Sequence, residues 1–249
     1  MTGFQQIVKY LSIALAIFLA ASIIIGGISV LGAIFGRGHN NILDELYEVE
    51  ISQDIEKIEI DISAASLEIV SGNKFSLSTN IDKLEVSSSN SKLYVKQNQK
   101  HVYVNTGKSG KIIITVPENI NLKAFDLDAG AGAVYIECLN TQNADMDMGA
   151  GALTVRCGEI GNLELDLGVG ETNLTSALKG RSSINCGVGE TNINIIGQKS
   201  DYSIDIDTGV GLVTFENTHI KGNTVIGAGQ YQLDIDGGVG SININFVNE

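Results

Sequence analysis

Hydrophobic and polar side chains alternate on both sides of a recurring Gly-x-Gly triplet in this chain. In FDLDAGAGAVYIE, residues 125–137, apolar residues take every second position before the glycines and again after them. A two-residue alternation of this kind predicts β-strands that bury one face. Later triplets have similar flanks, so equivalent apolar positions would stack into columns inside a core. Members of these columns include Leu127, Val134, Leu165, Ile193, Ile206, Ile235 and Ile244.

The triplets recur at a short period. Four glycine pairs are spaced by 19 residues, and two more follow after 22 and 29 residues. These glycines, predicted to form structural turns, are Gly130 and Gly132, Gly149 and Gly151, Gly168 and Gly170, Gly187 and Gly189, Gly209 and Gly211, and Gly238 and Gly240. A degenerate triplet, 227–229, falls between the last two pairs, and residues 58–69 resemble an earlier copy with Ser63 and Ala65 in place of the glycines. This self-similarity predicts an all-β fold: a parallel β-solenoid over 57–249, less regular and hairpin-like in 57–120 and regular in 121–249, with each copy beside the next.

The beginning of the chain has a different pattern. Residues 10–36 form a stretch of 27 residues without a charge, which as a helix would be roughly 40 Å long and would cross a bilayer. We predict a transmembrane helix over 10–36, a short cytoplasmic head over 1–9 and an acidic linker over 37–56 with one amphipathic turn. A cleaved signal peptide is the alternative, although its apolar region is usually shorter. The basic head favours a cell-membrane protein whose C-terminal domain is extracytoplasmic.

Charge and cysteine content restrict the partners. Asp and Glu outnumber Lys and Arg by 29 to 16, so nucleic acid is not expected as a partner. Cys138 and Cys157 are 19 residues apart and therefore fall on inward positions of adjacent copies. They are either small buried residues or, in an oxidising compartment, a disulfide. Cys186 is predicted to be a core residue.

Two motifs resemble the sequences of known binding or active sites. GVGETNL and GVGETNI, after residues 167 and 186, lack the Lys and Ser/Thr of a phosphate-binding P-loop and the third glycine of a dinucleotide fingerprint, so no nucleotide is expected. Asp207-Thr208-Gly209 matches the aspartic-protease triplet, but Asp occupies the same place in other copies. We therefore interpret both motifs as parts of the repeat and predict no catalytic residues and no bound organic cofactor.

Acidic residues stand two and four positions before the first glycine of most copies. The members proposed as calcium ligands are Asp126, Asp128, Asp145, Asp147, Asp166, Asp205, Asp207, Asp234 and Asp236; Glu164 completes the third copy, and the fourth is neutral, with Ser183 and Asn185. Like charges stacked about 5 Å apart would repel by roughly 1 kcal/mol per pair in water. A calcium ladder would relieve this repulsion. The alternative is that the carboxylates cap the turns and are screened by solvent and salt.

The segment KIIITVPENINLKAFDLDAGAGAVYIE, with the repeated D-x-G-x-G units, resembles the bacterial β-strand-repeat family labelled "putative adhesin", also grouped as toastrack-like. The resemblance covers about residues 45–249, and the preceding anchor is similar to that of Gram-positive members. It implies a β-solenoid ectodomain that takes part in envelope-stress or membrane signalling, and it implies no catalytic residue.

We therefore predict a non-enzymatic, membrane-anchored interaction or signalling module. Its expected partners are the membrane, through residues 10–36, and other envelope or membrane proteins. One alternative is a cation-dependent surface adhesin that binds calcium or glycan. Another is a glycan-active enzyme on a β-helix scaffold, which would need aromatic platforms, whereas the Tyr and Phe residues are spread thinly along the sequence.

Overall fold

The computed structural model describes residues 42–97 and 109–247, and these residues form an all-β fold. One 3-10 turn, Lys199–Asp201, interrupts the strands. The strands are β1 (Ile42–Val49), β2 (Lys57–Ala64), β3 (Ser66–Gly72), β4 (Ser76–Ile81), β5 (Glu85–Ser89), β6 (Lys92–Lys96), β7 (Lys111–Pro117), β8 (Ala124–Ile136), β9 (Thr141–Val155), β10 (Glu159–Leu178), β11 (Arg181–Asn185), β12 (Val188–Ile196), β13 (Tyr202–Asp207), β14 (Val210–Phe215), β15 (Thr218–Ile220), β16 (Thr224–Gly227), β17 (Tyr231–Asp236) and β18 (Val239–Val247).

Each glycine-pair copy contributes one strand segment before its glycines and one after them. The segments before the glycines, preceded by β6 and β2, pair in parallel in the order β6, β2, β8, β9, β10, β11, β17 and β13. The segments after the glycines, preceded by β7 and β3, pair in parallel in the order β7, β3, β8, β9, β10, β12, β18 and β14. We call these two series the first ladder and the second ladder. β8, β9 and β10 run through the glycines and belong to both.

The alternating pattern buries the side chains that the sequence predicts. Leu127 and Val134 are 3% and 2% exposed, and Leu165, Ile206 and Ile244 are fully buried. Tyr202 of the first ladder contacts Phe246 of the second, with ring centroids 5.3 Å apart. Side chains from both ladders therefore share one core.

The register agrees with the 19-residue period but the order of the copies does not follow the chain throughout. Gly132, Gly151, Gly170 and Gly189 are direct neighbours on successive strands. Ala64 pairs with Ala131, so the copy without glycines joins the same series. The next neighbour of Gly189, however, is Gly240, and Gly211 lies beyond it. The last two copies are thus exchanged, which corrects the expectation that each copy lies beside the next.

Both ends of the parallel ladders carry antiparallel strands. β5 pairs with β6, β4 pairs with β7, and β1 pairs with β4 at one end. β16 pairs with β13, and β15 pairs with β14, at the other end. Such strands cover the edges of the parallel ladders, which would otherwise offer unpaired backbone groups to other chains.

Two local predictions need correction. Part of the predicted linker, 37–56, forms strand β1 instead of an amphipathic turn, because Ile42 is buried and the Tyr47 hydroxyl donates a hydrogen bond to the Ile81 carbonyl (2.8 Å). The degenerate triplet also lies outside the glycine series, since Gly227 pairs in antiparallel register with Ser203. Its glycines belong to an end strand and the turn that follows it.

The predicted head, 1–9, and the predicted transmembrane helix, 10–36, lie outside the described residues. Within 42–97 and 109–247, no helix is both long and apolar enough to cross a bilayer.

Cys138 and Cys157 form a disulfide, with their Cα atoms 4.5 Å apart. Each cysteine follows the end of its strand, β8 or β9, and both are half-buried. The disulfide covalently joins two copies, which decides between the two interpretations that the sequence left open.

Candidate interaction surface

The first ladder brings the predicted acidic residues into two outward columns. Asp126, Asp145 and Glu164 are neighbours in one column, and Asp128, Asp147 and Asp166 are neighbours in the other. Beyond β11, the two columns continue on β17 and β13, where Asp234 is a neighbour of Asp205 and Asp236 is a neighbour of Asp207. We call the whole set the acidic face. Most of its carboxylates are exposed, as expected for charged groups that alternate with buried residues along each strand.

The acidic face is interrupted in the middle and neutralised at one end. On β11, Ser183 and Asn185 take the places of the carboxylates, and the Asn185 amide donates a hydrogen bond to Asp166. At the β6 end, Lys92 forms an ion pair with Glu59, and Lys96 forms one with Asp61. The uncompensated charge therefore falls in two blocks, one on β8–β10 and one on β17 and β13.

Stacking perturbs the protonation of the larger block. Burial, and then the negative charges of Glu59 and Asp145, raise the pKa of Asp126. Partial burial raises the pKa of Asp147 as well, followed by repulsion from Asp166, Asp145, Asp128 and Glu164, in that order. The ionised form of Asp147 is disfavoured because the carboxylate is partly removed from water and has four further carboxylates near it.

The carboxylates stand side by side instead of converging on one point. No three His, Cys, Asp or Glu side chains within the described ranges are placed to hold a metal ion. Turn capping is present in one copy, where the backbone N–H of Gly209 donates to Asp207 Oδ1 (3.1 Å). Calcium binding by the aspartates thus remains a prediction.

A shallow, open groove of about 410 Å³ runs along the glycine corners beside the acidic face. Asp128, Asp147, Asp166 and Asn185 line it at successive strands, together with glycine backbone. The half-buried Cys186 thiol also lines it, and burial raises the pKa of this thiol. The groove exists because the corners carry no side chain at the glycine positions.

Close stacking of backbone explains the glycines themselves. Gly170 has a φ of 151°, which side chains rarely adopt, and a Cβ there would collide with the backbone carbonyl of Gly151 on the next strand. The glycines in GVGETN are therefore corners, and Glu171 follows directly on a continuing strand. This geometry agrees with the structural interpretation of the motif.

The asparagine of the same motif builds a feature that the sequence analysis missed. On the outer side of the second ladder, Asn243 Nδ2 donates to Asn192 Oδ1 (2.8 Å), and Asn192 Nδ2 donates to Asn173 Oδ1 (3.0 Å). Thr214 Oγ1 extends the series by donating to Asn243 Oδ1 (2.6 Å). We call these four residues the amide column. Its signal in the sequence was an asparagine three residues after the second glycine of three copies.

The remaining residues of the ETN motif support the column. Glu171 accepts a hydrogen bond from Asn173 (2.8 Å), and Glu190 accepts one from Asn192 (3.2 Å). The threonines between them, Thr172 and Thr191, point inward and are only 5% and 6% exposed. The Gly, Glu, Thr and Asn residues of GVGETN thus each have a structural role at or beside the corner.

Aromatic residues that are distant in the sequence meet in the exchanged copies. Tyr202 contacts Tyr231 at 5.4 Å between centroids, and Phe215 contacts Phe246 at 6.1 Å. The sequence description of thinly spread aromatics does not hold for this end of the core. Tyr202 and Phe215 are buried, so this cluster stabilises packing and offers no exposed platform from those two rings.

Comparison with known proteins gives matches among solved structures. No family model matches the chain, and no curated protein matches it. A "putative cell adhesion protein" from Clostridium sporogenes is 17% identical with a TM-score of 0.43, covering 82% of this chain and 99% of its own. A "putative adhesin" from Bacteroides fragilis is 17% identical with a TM-score of 0.37, covering 82% and 98%. One from Parabacteroides merdae is 13% identical with a TM-score of 0.34, covering 82% and 95%. These names agree with the family that the sequence resembles.

Proposed function

We propose that this chain is a non-catalytic interaction module of the cell envelope. In this proposal residues 10–36 anchor it in the membrane, and residues 57–249 form a β-solenoid ectodomain that contacts other envelope or surface molecules. The observation that carries the proposal is the pair of outward surfaces, the acidic face and the amide column. Their side chains are set in register over several strands.

Rigid presentation supports a binding role. The amide column residues hold one another by hydrogen bonds of 2.6–3.0 Å, so a partner would meet side chains that are already ordered. Preorganised groups lose less conformational entropy on binding than mobile ones. The Cys138–Cys157 disulfide supports an extracytoplasmic location, because such bonds persist mainly in oxidising compartments.

Site-specific photo-crosslinking in intact cells tests this function. A photoreactive residue would replace Asp145 on the acidic face, Thr175 beside the amide column, or Asn223 in the exposed turn before β16 as the control. We expect a discrete protein or glycan adduct from at least one face and none from position 223. Absence of adducts from both faces, or the same adducts from all three positions, would contradict the proposal. Protease accessibility of the domain on intact cells tests its orientation.

A second candidate is a cation-dependent adhesin, favoured by the repulsion that four neighbouring carboxylates exert on Asp147. Calcium would relieve their repulsion, so millimolar calcium should raise the Tm of the wild type and have less effect on an Asp145→Asn/Asp147→Asn variant. Equal Tm values in calcium and in EDTA would exclude this candidate, whereas the interaction function would be unaffected.

A further inference from the structure

Because the last two copies are exchanged, the final copy fills a slot between two earlier ones. The copy formed by β17 and β18 lies between β11 and β12 on one side and β13 and β14 on the other. Both neighbours precede it in the sequence. In the sequence, the two neighbouring copies therefore come first and the copy between them comes last. We call the two neighbouring copies the walls of the slot.

Hydrogen bonds join this copy to both walls. On one side, Val239 N–H donates to the Gly187 carbonyl (2.8 Å); on the other, Gly237 N–H donates to the Asp207 carbonyl (2.8 Å). The side chain of Asn243 likewise bonds to Asn192 in one wall and Thr214 in the other. The slot thus provides parallel partners for an incoming strand on both of its edges.

The core side of the slot is equally specific. Leu233, Ile235, Ile242 and Ile244 are at most 5% exposed. Phe246 packs against Tyr202 in one ladder and Phe215 in the other. A segment that fills the slot must therefore carry apolar residues for two buried columns, an aromatic residue at the position of Phe246, and a glycine pair at the corner.

A short connection leads into the slot. Only residues 228–230 separate β16 from β17, and Gly227 before them has a φ of 78°. A small conformational change at such a connection directs the following segment either back onto its own chain or away from it. Exchange of an identical element between two copies is a low-cost route to dimers.

From this topology we propose that the slot binds the segment Tyr231–Val247 of a second copy of this chain, which yields a dimer with exchanged last copies. Every contact between the segment Tyr231–Val247 and the two walls is reproduced in such a dimer, and the connection 228–230 is the hinge. This inference is independent of the proposed interaction function.

Engineered cysteines can report which chain fills the slot. Thr214 and Asn243 are direct neighbours on β14 and β18, the same relation between adjacent copies that the native Cys138–Cys157 disulfide bridges. The variant Thr214→Cys/Asn243→Cys would be made in a Cys186→Ser background. Its new disulfide is within one chain in the closed monomer and between chains in the exchanged dimer.

The experiment is refolding at different protein concentrations, followed by oxidation and non-reducing electrophoresis. Because a short linker holds its own segment at an effective concentration of about 1 mM, exchange should be rare at about 10 µM and abundant near 1 mM. We expect the covalent dimer to rise with concentration, to contain no free engineered thiol, and to exceed the dimer formed by the Thr214→Cys control.

Wild-type protein refolded in parallel supplies a second measurement. Light scattering after size-exclusion chromatography should find a dimer that persists in reducing agent and grows with refolding concentration. A wild type that stays monomeric near 1 mM, or a double variant with only intrachain disulfides at every concentration, would overturn the proposal.

Discussion

The acidic face and the amide column lie on the same parallel copies, with the same spacing between neighbours, yet their electrostatics are opposite. In-register stacking places each residue beside its own equivalent, so a side chain must tolerate a copy of itself about 4.8 Å away. An amide carries both a donor and an acceptor and bonds to its equivalent, as Asn192 does to Asn173 (3.0 Å). A carboxylate has only acceptors and repels its equivalent, and this repulsion adds to partial burial in raising the pKa of Asp147.

The difference suggests different roles for the two surfaces. The amide column contributes to holding successive copies together, because its hydrogen bonds run along the stack. The acidic face opposes stacking unless solvent, salt or a partner compensates it. A surface that does not stabilise its own fold is the better candidate for a binding function.

The largest expected effect comes from a substitution at a glycine corner, which lies between the acidic face and the amide column. Gly170→Ala combines an unfavourable φ of 151° with a collision against the Gly151 carbonyl. We expect it to lower the free energy of unfolding by about 4 kcal/mol or more, measured by urea denaturation. Gly222→Ala is the matched control, since Gly222 also has a positive φ (72°) but has open space around it. The free energy of unfolding of that variant should fall by only about 1 kcal/mol. A similar fall in both variants would rule out backbone collision as the cause.

The next effect comes from making the amide column resemble the acidic face. Asn192→Asp removes the donor that bonds to Asn173 and Glu190 and places a charge beside the Glu190 carboxylate. The free energy of unfolding should fall by about 2 kcal/mol at neutral pH. Asn223→Asp, in an exposed turn, controls for the added charge. If the two variants were equally stable, the hydrogen bonds of the column would not contribute to stability.

The reverse exchange should stabilise the protein. Asp147→Asn relieves repulsion from four neighbouring carboxylates and should add about 0.5–1 kcal/mol at low salt. Since the folded state raises the pKa of Asp147, the folded protein takes up this proton before the unfolded chain does as the pH falls. The contribution of Asp147 to stability therefore improves as the pH falls through that raised pKa, and the improvement is complete below the ordinary value of 3.8. Tm measured against pH should rise less in the variant than in the wild type, and the difference should shrink in high salt. Parallel pH profiles would contradict this assignment.

The smallest effect concerns the strand where the acidic face is interrupted. Ser182 on β11 is 1% exposed, and its hydroxyl is the buried side-chain polar atom without a hydrogen-bond partner among the described residues. Its neighbours in the first ladder are Leu163 and Leu233. Ser182→Ala should therefore raise the free energy of unfolding by up to about 1 kcal/mol. Ser183→Ala, on the outward side of the same strand, should change it little; a loss of stability in Ser182→Ala would show that the hydroxyl has a partner.

Much of the first ladder follows from the sequence because its signals are local and repeated. The period of 19 residues places Asp128 beside Asp147 and Gly132 beside Gly151, as the structure has them. The amide column was equally present in the sequence at Asn173, Asn192 and Asn243. A repeated asparagine has no charge to mark it, and it forms these hydrogen bonds only between copies.

Other features depend on choices that a local pattern does not encode. The copies at Ile204–Asp207 and Leu233–Asp236 have nearly the same alternation, so either would fit beside β11. In the order that the structure has, Phe246 packs against Tyr202 and Phe215, and the local pattern of a single copy does not encode these contacts. The disulfide also needed the fold, since spacing alone allowed Cys138 and Cys157 to be stacked without being bonded.

By itself, then, the sequence determined the all-β class, the buried columns, the corner glycines and the stacked carboxylates, because each follows from side-chain alternation and from a pattern repeated at the same position of successive copies. Only the tertiary structure decided which copies are neighbours, how the ends are covered, where β1 pairs and which cysteines are joined. The physical reason is that near-identical copies offer near-identical pairing energies locally. The choice among them is made by the few residues that differ, and these act through contacts made only in the folded chain.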